Sequence, residues 1–218
     1  MHLQEFIIND IHPLNIEDKV SDLKMMFNEL TYSHIPIENK GAYIGCISEN
    51  DAHCFEGKKT IQECNYALED FFVRATTTWL DILEEFAQNS CNIMPVLGEN
   101  NEYLGYYELN DIIGLFNETP FFAEPGGILI VEKGVLDYSF SEISQIVETN
   151  DAKLLGAFIS KMESDVVQIT LKIGATGLNN VIQTFRRYSY NIVSGHEEDS
   201  YLESLKERSE YLKKYLDI

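Results

Sequence analysis

An internal duplication constrains the fold of this chain more than any other feature of its sequence. When Pro36 is aligned with Pro95, a shift of 59 residues, an apolar stripe with helical spacing, a polar turn and an apolar–Pro–apolar segment recur in the same order. A second apolar strand follows at residues 42–47 in the first copy and at residues 103–107 in the second. The pattern predicts a unit of helix, strand, strand and short helix, about 55–60 residues long.

Each copy ends in a glycine that is followed six residues later by an aspartate, where the last short helix is predicted to start. Residues 45–51 also carry a serine midway, whereas residues 105–111 have Glu108 in its place. This Gly-x-x-Ser/Thr-x-x-Asp ending, together with the duplication around it, resembles the CBS domain, whose units occur as tandem pairs called Bateman modules. The resemblance covers roughly residues 3–118 and implies two small sheets with flanking helices.

The resemblance also implies a ligand site in each unit. In the CBS family the aspartate accepts hydrogen bonds from the ribose hydroxyls of an adenosine ligand, and the Ser/Thr hydroxyl reaches phosphate or sugar. Carried over by position, Ser48 and Asp51 are the intact ligand-binding candidates. Asp111 is the third candidate, weakened by Glu108, whose charge would repel a phosphate. An alternative stays open for both aspartates, namely that each simply caps its helix.

The charge of the chain limits its partners. The net formal charge is −20, and residues 1–120 hold 21 acidic and 6 basic side chains. A field of this sign repels nucleic acid and anionic lipid, so neither is an expected partner. Only Lys58, Lys59 and Arg74 are placed to contact a phosphate. A low-charge adenosine-type ligand such as AMP or S-adenosylmethionine, or ATP bridged by Mg²⁺, is therefore the expected small molecule.

A second folding pattern begins after residues 119–127, where two prolines and two glycines break the repeat and indicate a domain boundary. We expect residues 1–120 to form the tandem CBS pair, with repeat one at about residues 3–65 and repeat two at about residues 66–118. Residues 126–196 alternate strand and helix patterns in the order βαββαβ, the ferredoxin-like plan.

The strands of this later segment are expected at residues 128–132, 152–162 and 190–193, with another at Val167 to Ile173, and Ser141 is expected to cap its first helix. In this small form the segment looks like an ACT domain, an amino-acid-sensing module. The turn at residues 133–138 lacks the Pro-Gly of many ACT domains, which puts the ligand-donating loop in doubt.

The complete order therefore predicts an α+β / α/β chain: a tandem CBS pair, an ACT-like domain and a helix at residues 197–218. This order resembles the acetoin-utilisation family of CBS–ACT proteins. Leucines in the last helix form an apolar stripe that a free monomer would expose, so we expect a homodimer that depends partly on residues 197–218.

Other kinds of site find little support in the sequence. The five histidines are scattered and the four cysteines form no paired spacing, so no metal site is expected. No nucleophile–base or acid–base constellation is visible, and an enzyme is not expected. The first residues lack the pattern of a signal peptide, no apolar run is long enough to span a bilayer, and the thiols are typical of a cytoplasmic protein.

Two functions remain in competition. The first is a non-catalytic sensor in signal transduction that binds an adenosine-type molecule through its CBS pair, while the ACT-like domain dimerises or senses a small molecule. The second is an interaction and dimerisation module whose ligand sites have degenerated. Ser48 and Asp51 favour the first, and Glu108 with the missing Pro-Gly favours the second.

Overall fold

A computed structural model describes residues 3–194 of the chain. The chain divides into two compact units, Met1–Phe116 and Asn117–Ile218, which are described separately below. The helix predicted for residues 197–218 lies outside the described residues. None of the described helices is both long and apolar enough to cross a membrane.

The first repeat is built from a three-stranded sheet with two helices. Its elements are β1 (Leu14–Asn15), α1 (Val20–Glu29), β2 (His34–Asn39), β3 (Ala42–Ser48) and α2 (Glu49–Cys54). Strand β2 lies in the centre of the sheet, antiparallel to β3 and parallel to the short β1. The buried face of α1 consists of Val20, Leu23 and Phe27, which belong to the apolar stripe that predicted the helix.

The second repeat has the same order of elements and the same sheet. These elements are β4 (Val73–Arg74), α3 (Trp79–Asn89), β5 (Ile93–Leu97), β6 (Tyr103–Glu108) and α4 (Leu109–Asn117). The predicted order of helix, strand, strand and helix is confirmed in both copies. Sequence reading missed β1 and β4, which are two residues long and show no periodicity. The last helices begin at Glu49 and Leu109, two residues before the aspartates at which their starts were predicted.

The two repeats exchange short segments that precede their first strands. Ile8, which precedes β1 of repeat one, forms two backbone hydrogen bonds of 2.9 Å with Tyr106 on β6. Glu69, which precedes β4 of repeat two, forms two backbone hydrogen bonds of 2.8 Å with Cys46 on β3. Each sheet therefore carries backbone from the entry segment of the other repeat, and the pair forms one unit.

The glycines of the repeated motif make this exchange possible. Gly45 and Gly105 have φ values of +138° and +142°, which side-chain-bearing residues rarely adopt. A Cβ atom at Gly105 would lie 2.2 Å from the carbonyl oxygen of Ile8, and one at Gly45 would lie 3.0 Å from that of Glu69. The conformation and the close approach of the exchanged segment both require glycine there.

The second unit is a four-stranded antiparallel sheet with helices. Its elements are α5 (Pro120–Ala123), β7 (Gly126–Gly134), α6 (Phe140–Glu148), β8 (Leu154–Met162), β9 (Val166–Gly174), α7 (Leu178–Arg187) and β10 (Asn191–Ser194). The strand order β10-β7-β9-β8 and the antiparallel pairing of all neighbours confirm the ferredoxin-like plan. The inward residues of β7 and β9 pack against α6 and α7, with Leu129, Val131, Ile169 and Phe185 fully buried.

Several local predictions in this unit are wrong. The helix α6 is capped by Ser139, whose hydroxyl accepts from the backbone N–H of Glu142, and not by Ser141. Strand β7 extends beyond residues 128–132 at both ends, because its glycines pair with β9 instead of ending the strand. Strands β8 and β10 begin at Leu154 and Asn191, later than predicted.

Replacement of the motif glycines tests the exchanged arrangement. Gly105→Ala is expected to lower the free energy of unfolding by about 3 kcal/mol or more, because the new Cβ meets a backbone oxygen in a strained conformation. Gly45→Ala, with its longer contact, is expected to cost about 1–3 kcal/mol. Urea denaturation followed by circular dichroism measures both.

The matched control is Gly114→Ala in α4, where a Cβ would meet no atom within 4 Å. This change should stabilise the chain by up to about 1 kcal/mol, since alanine favours a helix. Equal stability of the Gly105→Ala and Gly114→Ala variants would contradict the proposed packing.

Candidate functional site

The serine and aspartate of the first motif lie together where β3 passes into α2. The Ser48 hydroxyl accepts a hydrogen bond from the Asp51 backbone N–H at 3.2 Å and donates one to the Asp51 carboxylate at 2.8 Å. Ser48 is therefore the N-cap residue of α2, and the aspartate predicted as a cap is instead the partner of the cap. Asp51 is half-buried, and a carboxylate that accepts one hydrogen bond retains further lone pairs for a ligand.

A buried histidine borders this pair, and sequence reading missed it. His34 begins β2 and is paired in register with Ser48 on β3. Only 5% of its surface is exposed, its Nδ1 lies 2.8 Å from the Ser33 hydroxyl, and its Nε2 lies 3.5 Å from a carboxylate oxygen of Glu69. In the sequence, His34 directly precedes the apolar–Pro–apolar strand. Because its preceding neighbours are polar, this position was interpreted as part of a turn.

The electrostatics of His34 follow from its burial. Desolvation lowers the pKa of the imidazole below its ordinary value of 6.5, and the carboxylates of Glu69 and Asp51 oppose that shift without reversing it. The ring is therefore neutral at pH 7, and the surroundings of Ser48 and Asp51 carry negative charge.

The two repeats meet beside this site through matching polar residues, Ser33 and Asn92. The Asn92 amide oxygen accepts from the backbone N–H of Ser33 at 2.8 Å, and the Asn92 backbone N–H donates to the Ser33 hydroxyl at 3.0 Å. The Asn92 amide nitrogen also donates to the carbonyl of Thr31 at 2.9 Å. These reciprocal contacts fix the end of one sheet against the end of the other.

The second motif is built differently. Glu108, at the end of β6, accepts a hydrogen bond of 2.6 Å from the Tyr32 hydroxyl of repeat one. The Tyr32 hydroxyl also lies 3.0 Å from the hydroxyl of Tyr106, which donates to Asp10 at 2.6 Å. Asp111 is half-buried in the first turn of α4, three residues after Glu108. Glu108 therefore already has a hydrogen-bond partner within the chain, the hydroxyl of Tyr32.

A small cavity of about 240 Å³ lies beside this tyrosine. It is lined by Thr31, Tyr32, Asn92, Glu108, Leu109 and Asn110. Its lining is polar and includes a carboxylate, so it offers a phosphate no positive charge.

Two of the basic residues in this unit have structural partners. The Arg74 guanidinium donates to the carbonyl of Gly98 and to the side chain of Asn101, and it stacks 5.0 Å over the Phe72 ring. The Lys24 ammonium donates to the carbonyl of Phe55 at 2.7 Å, just after α2. Arg74 was expected to contact a phosphate, but its guanidinium is hydrogen-bonded to the β5–β6 hairpin. The other two expected contacts, Lys58 and Lys59, are exposed. Within residues 3–194 no group of three or more His, Cys, Asp or Glu side chains is arranged to hold a metal ion.

Comparison with known families bears directly on the second repeat. Residues 66–118 match the model of the CBS domain family. The recognition of a CBS unit from the sequence is confirmed by this match. A search of curated proteins gave no match to the chain.

Several solved structures are similar to this chain. A CBS domain pair/ACT domain protein from Thermotoga maritima is 16% identical, with a TM-score of 0.49, over 54% of this chain and 98% of that one. CBSX2 in complex with AMP is 13% identical, with a TM-score of 0.45, over 54% of this chain and 96% of that one. CbpB in complex with c-di-AMP is 18% identical, with a TM-score of 0.44, over 54% and 85%.

The buried histidine predicts a pH dependence of stability. Because the unfolded chain binds a proton at His34 more readily than the folded chain, its contribution is complete above pH 6.5 and is lost as the pH falls through the lowered folded pKa. His34→Gln is expected to reduce the loss of unfolding free energy below pH 6.5, by up to about 1.4 kcal/mol per pH unit. Urea denaturation at a series of pH values measures this slope.

His53→Gln is the control, since the His53 side chain is 54% exposed on α2. That variant should keep the slope of the original chain. A His34→Gln variant with the same slope as the His53→Gln variant would show that His34 is not held neutral by burial.

Proposed function

We propose that this chain is a non-catalytic regulatory protein that binds an adenosine-type small molecule at Ser48 and Asp51. The observation that carries the proposal is the hydrogen-bonded pair of these two side chains at a strand-to-helix turn, in the motif position that the CBS resemblance assigns to ligand binding. The match of residues 66–118 to the CBS domain supports the same reading for the duplicated unit.

The chemistry of the pair suits a ribose. The Asp51 carboxylate has lone pairs beyond the one that accepts the hydrogen bond from Ser48. A ribose has two vicinal hydroxyls, and a carboxylate is a good acceptor of hydrogen bonds from both. Glu69 and the neutral His34 provide no positive charge beside it. The preferred ligands are therefore AMP and S-adenosylmethionine, and ATP would need Mg²⁺ to offset its charge.

Asp111 is the poorer candidate in this proposal. Its motif has Glu108 in place of the hydroxyl residue. The position that is a small hydrogen-bond donor, Ser48, in the first motif is therefore an acid in contact with the Tyr32 side chain in the second. A phosphate beside Glu108 would meet like charge. We assign ligand binding mainly to the first repeat.

The second unit is proposed to dimerise the chain or to sense a small molecule as an ACT-like domain. Its strand β8 is an edge strand of nine residues with no partner strand on one side among the described residues. Phe158 and Met162 on that strand are 49% and 56% exposed. An apolar edge strand of this length favours pairing with a second copy.

The competing function is an interaction and dimerisation module without ligand. It is favoured by Glu108 and by the turn after β7, where Gly134 accepts from the backbone N–H of Asp137 but no Pro-Gly is present. Under either function we propose a cytoplasmic homodimer without nucleic acid or membrane partners, on the basis of the acidic charge and the unpaired thiols.

Calorimetric titration with AMP, S-adenosylmethionine and Mg²⁺–ATP separates the two functions. Asp51→Ala is expected to abolish heat of binding, because it removes the acceptor for the ribose hydroxyls. Asp111→Ala, the matched change in the other repeat, is expected to leave most of the binding. Equal losses would contradict the asymmetry, and no binding by the original chain would favour the ligand-free module.

The proposed dimer is tested at the β8 edge. Phe158→Glu is expected to weaken dimerisation at least about tenfold, since one buried aromatic side chain is worth about 1.5–3 kcal/mol. The control is Leu136→Glu, which also replaces an apolar side chain by an acidic one. Leu136 is 96% exposed in the turn after β7. Light scattering at micromolar concentration measures both. A monomeric original chain would reject the dimer, and an unchanged Phe158→Glu variant would move the contact elsewhere, for instance to residues 197–218.

A further inference from the structure

The two faces of the sheet in the second unit are covered differently. The longer helices of this unit within the described residues, α6 and α7, both pack on one face, against the buried core. Because side chains alternate along a strand, Ile128 and Ile130 of β7 lie on the opposite face. Lys172 and Thr170 of β9 are their partners in register and lie on that face too. We call the face formed by these four residues the open face.

The open face is covered at one side only. Phe121 of the one-turn helix α5 lies over β8, where a Cβ atom at Gly156 would be 2.5 Å from the phenylalanine ring. On the side of β7, Ile128 is 45% exposed and Ile130 is half-buried. Apolar surface therefore remains over β7, next to the edge strand β10.

A buried lysine borders this apolar surface. Lys172 is only 7% exposed, and its ammonium group donates to the carbonyl oxygen of Gly126 at 3.4 Å. Among residues 3–194 it forms no ion pair with a carboxylate. Lysines that are almost fully buried in proteins are usually paired with an acid. The open face therefore suits a partner that is apolar and also carries negative charge.

The chain leaves the described structure beside the open face. Strand β10 pairs with β7, and its last residue, Ser194, is in register with Ile130. Residues 195–218 follow, and seven acidic and four basic side chains lie within residues 197–218. This part of the chain is therefore acidic and starts at the edge of the sheet that carries the unpaired lysine.

The sequence of this segment also contains an apolar stripe. Four leucines recur at spacings of three, seven and four residues, which would place them on one side of a helix: Leu202, Leu205, Leu212 and Leu216. The eight residues from Ser194 to Leu202 can span at most about 29 Å. Four strands about 4.8 Å apart are narrower than this, so the leucines can reach any strand of the same sheet.

We propose that residues 202–216 bind to the open face of the sheet in their own chain, with the leucines over Ile128 and Ile130 and acidic side chains near Lys172. The segment complements the face in both apolarity and charge. Because it is joined to β10, its effective concentration at the face is higher than that of a separate molecule.

The proposal goes beyond the functions proposed above and changes one expectation. Leucines that pack within one chain do not hold two chains together, so dimerisation would depend on the β8 edge and not on residues 197–218. Ligand binding at Ser48 and Asp51 does not enter the argument. AMP titration can therefore fail or succeed without any bearing on the open face.

Methyl NMR of the full chain tests the contact directly. Nuclear Overhauser effects are expected between the methyl groups of Ile128 and those of Leu205 or Leu212, because packed apolar side chains approach within about 4.5 Å. A sample that mixes isotope-labelled and unlabelled copies separates contacts within a chain from contacts between chains. The proposal is overturned if Ile128 contacts none of the four leucines, or contacts them only between copies.

A double variant, Leu205→Asp with Leu212→Asp, gives the second arm of the test. The Ile128 methyl signals should move to the positions that they take in a chain without residues 197–218, because the apolar stripe is destroyed. Leu136→Asp is the control, since Leu136 is 96% exposed in the turn after β7, and it should leave these signals in place. Ile128 signals that are unchanged in the double variant would also overturn the proposal.

Discussion

The exchange of entry segments between the two repeats is the constraint on which the first unit depends. Each repeat alone has a sheet of three strands, one of them two residues long, which leaves backbone groups of the last strand open. Ile8 and Glu69 satisfy those groups in the opposite repeat, so neither repeat is complete without the other. Gly45 and Gly105 leave room for these segments. Ser48 and Glu108 follow the glycines by three residues, and Asp51 and Asp111 follow them by six. The same local geometry thus packs the pair and presents the candidate ligand residues.

The two halves of the duplicated unit have diverged in what they place at the same point. In repeat one, a serine and an aspartate form a small hydrogen-bonded pair beside a neutral histidine. In repeat two, a glutamate is held by a tyrosine that comes from repeat one. A symmetric fold therefore carries a hydrogen-bonded serine and aspartate at one motif and an acid held by a tyrosine at the other. Under the proposed function, the first motif binds the ligand, while the contact of Glu108 with Tyr32 joins the two repeats at the second motif.

Much of this architecture could be predicted from the sequence because it is periodic. The apolar stripe of Val20, Leu23 and Phe27 and the alternation in β9 reveal a helix and a strand without any tertiary information. Two-residue strands carry no period, and the extension of β7 through its glycines depends on pairing with β9. The site was only partly predictable for the same reason. Ser48 and Asp51 are three residues apart, whereas Tyr32, the hydrogen-bond partner of Glu108, lies 76 residues away from it. A single sequence does not show which distant residues will meet.

We propose that the first motif, and not the second, binds a small adenosine-type ligand. A titration of the full chain with AMP, followed through backbone amide NMR signals, tests this most directly because it reports both motifs in one experiment. We expect the shifts to concentrate at Gly45, Ser48 and Asp51, with the signals of residues 105–111 nearly unmoved. Shifts centred on residues 105–111, or no shifts at either motif with AMP and then with S-adenosylmethionine, would contradict the claim.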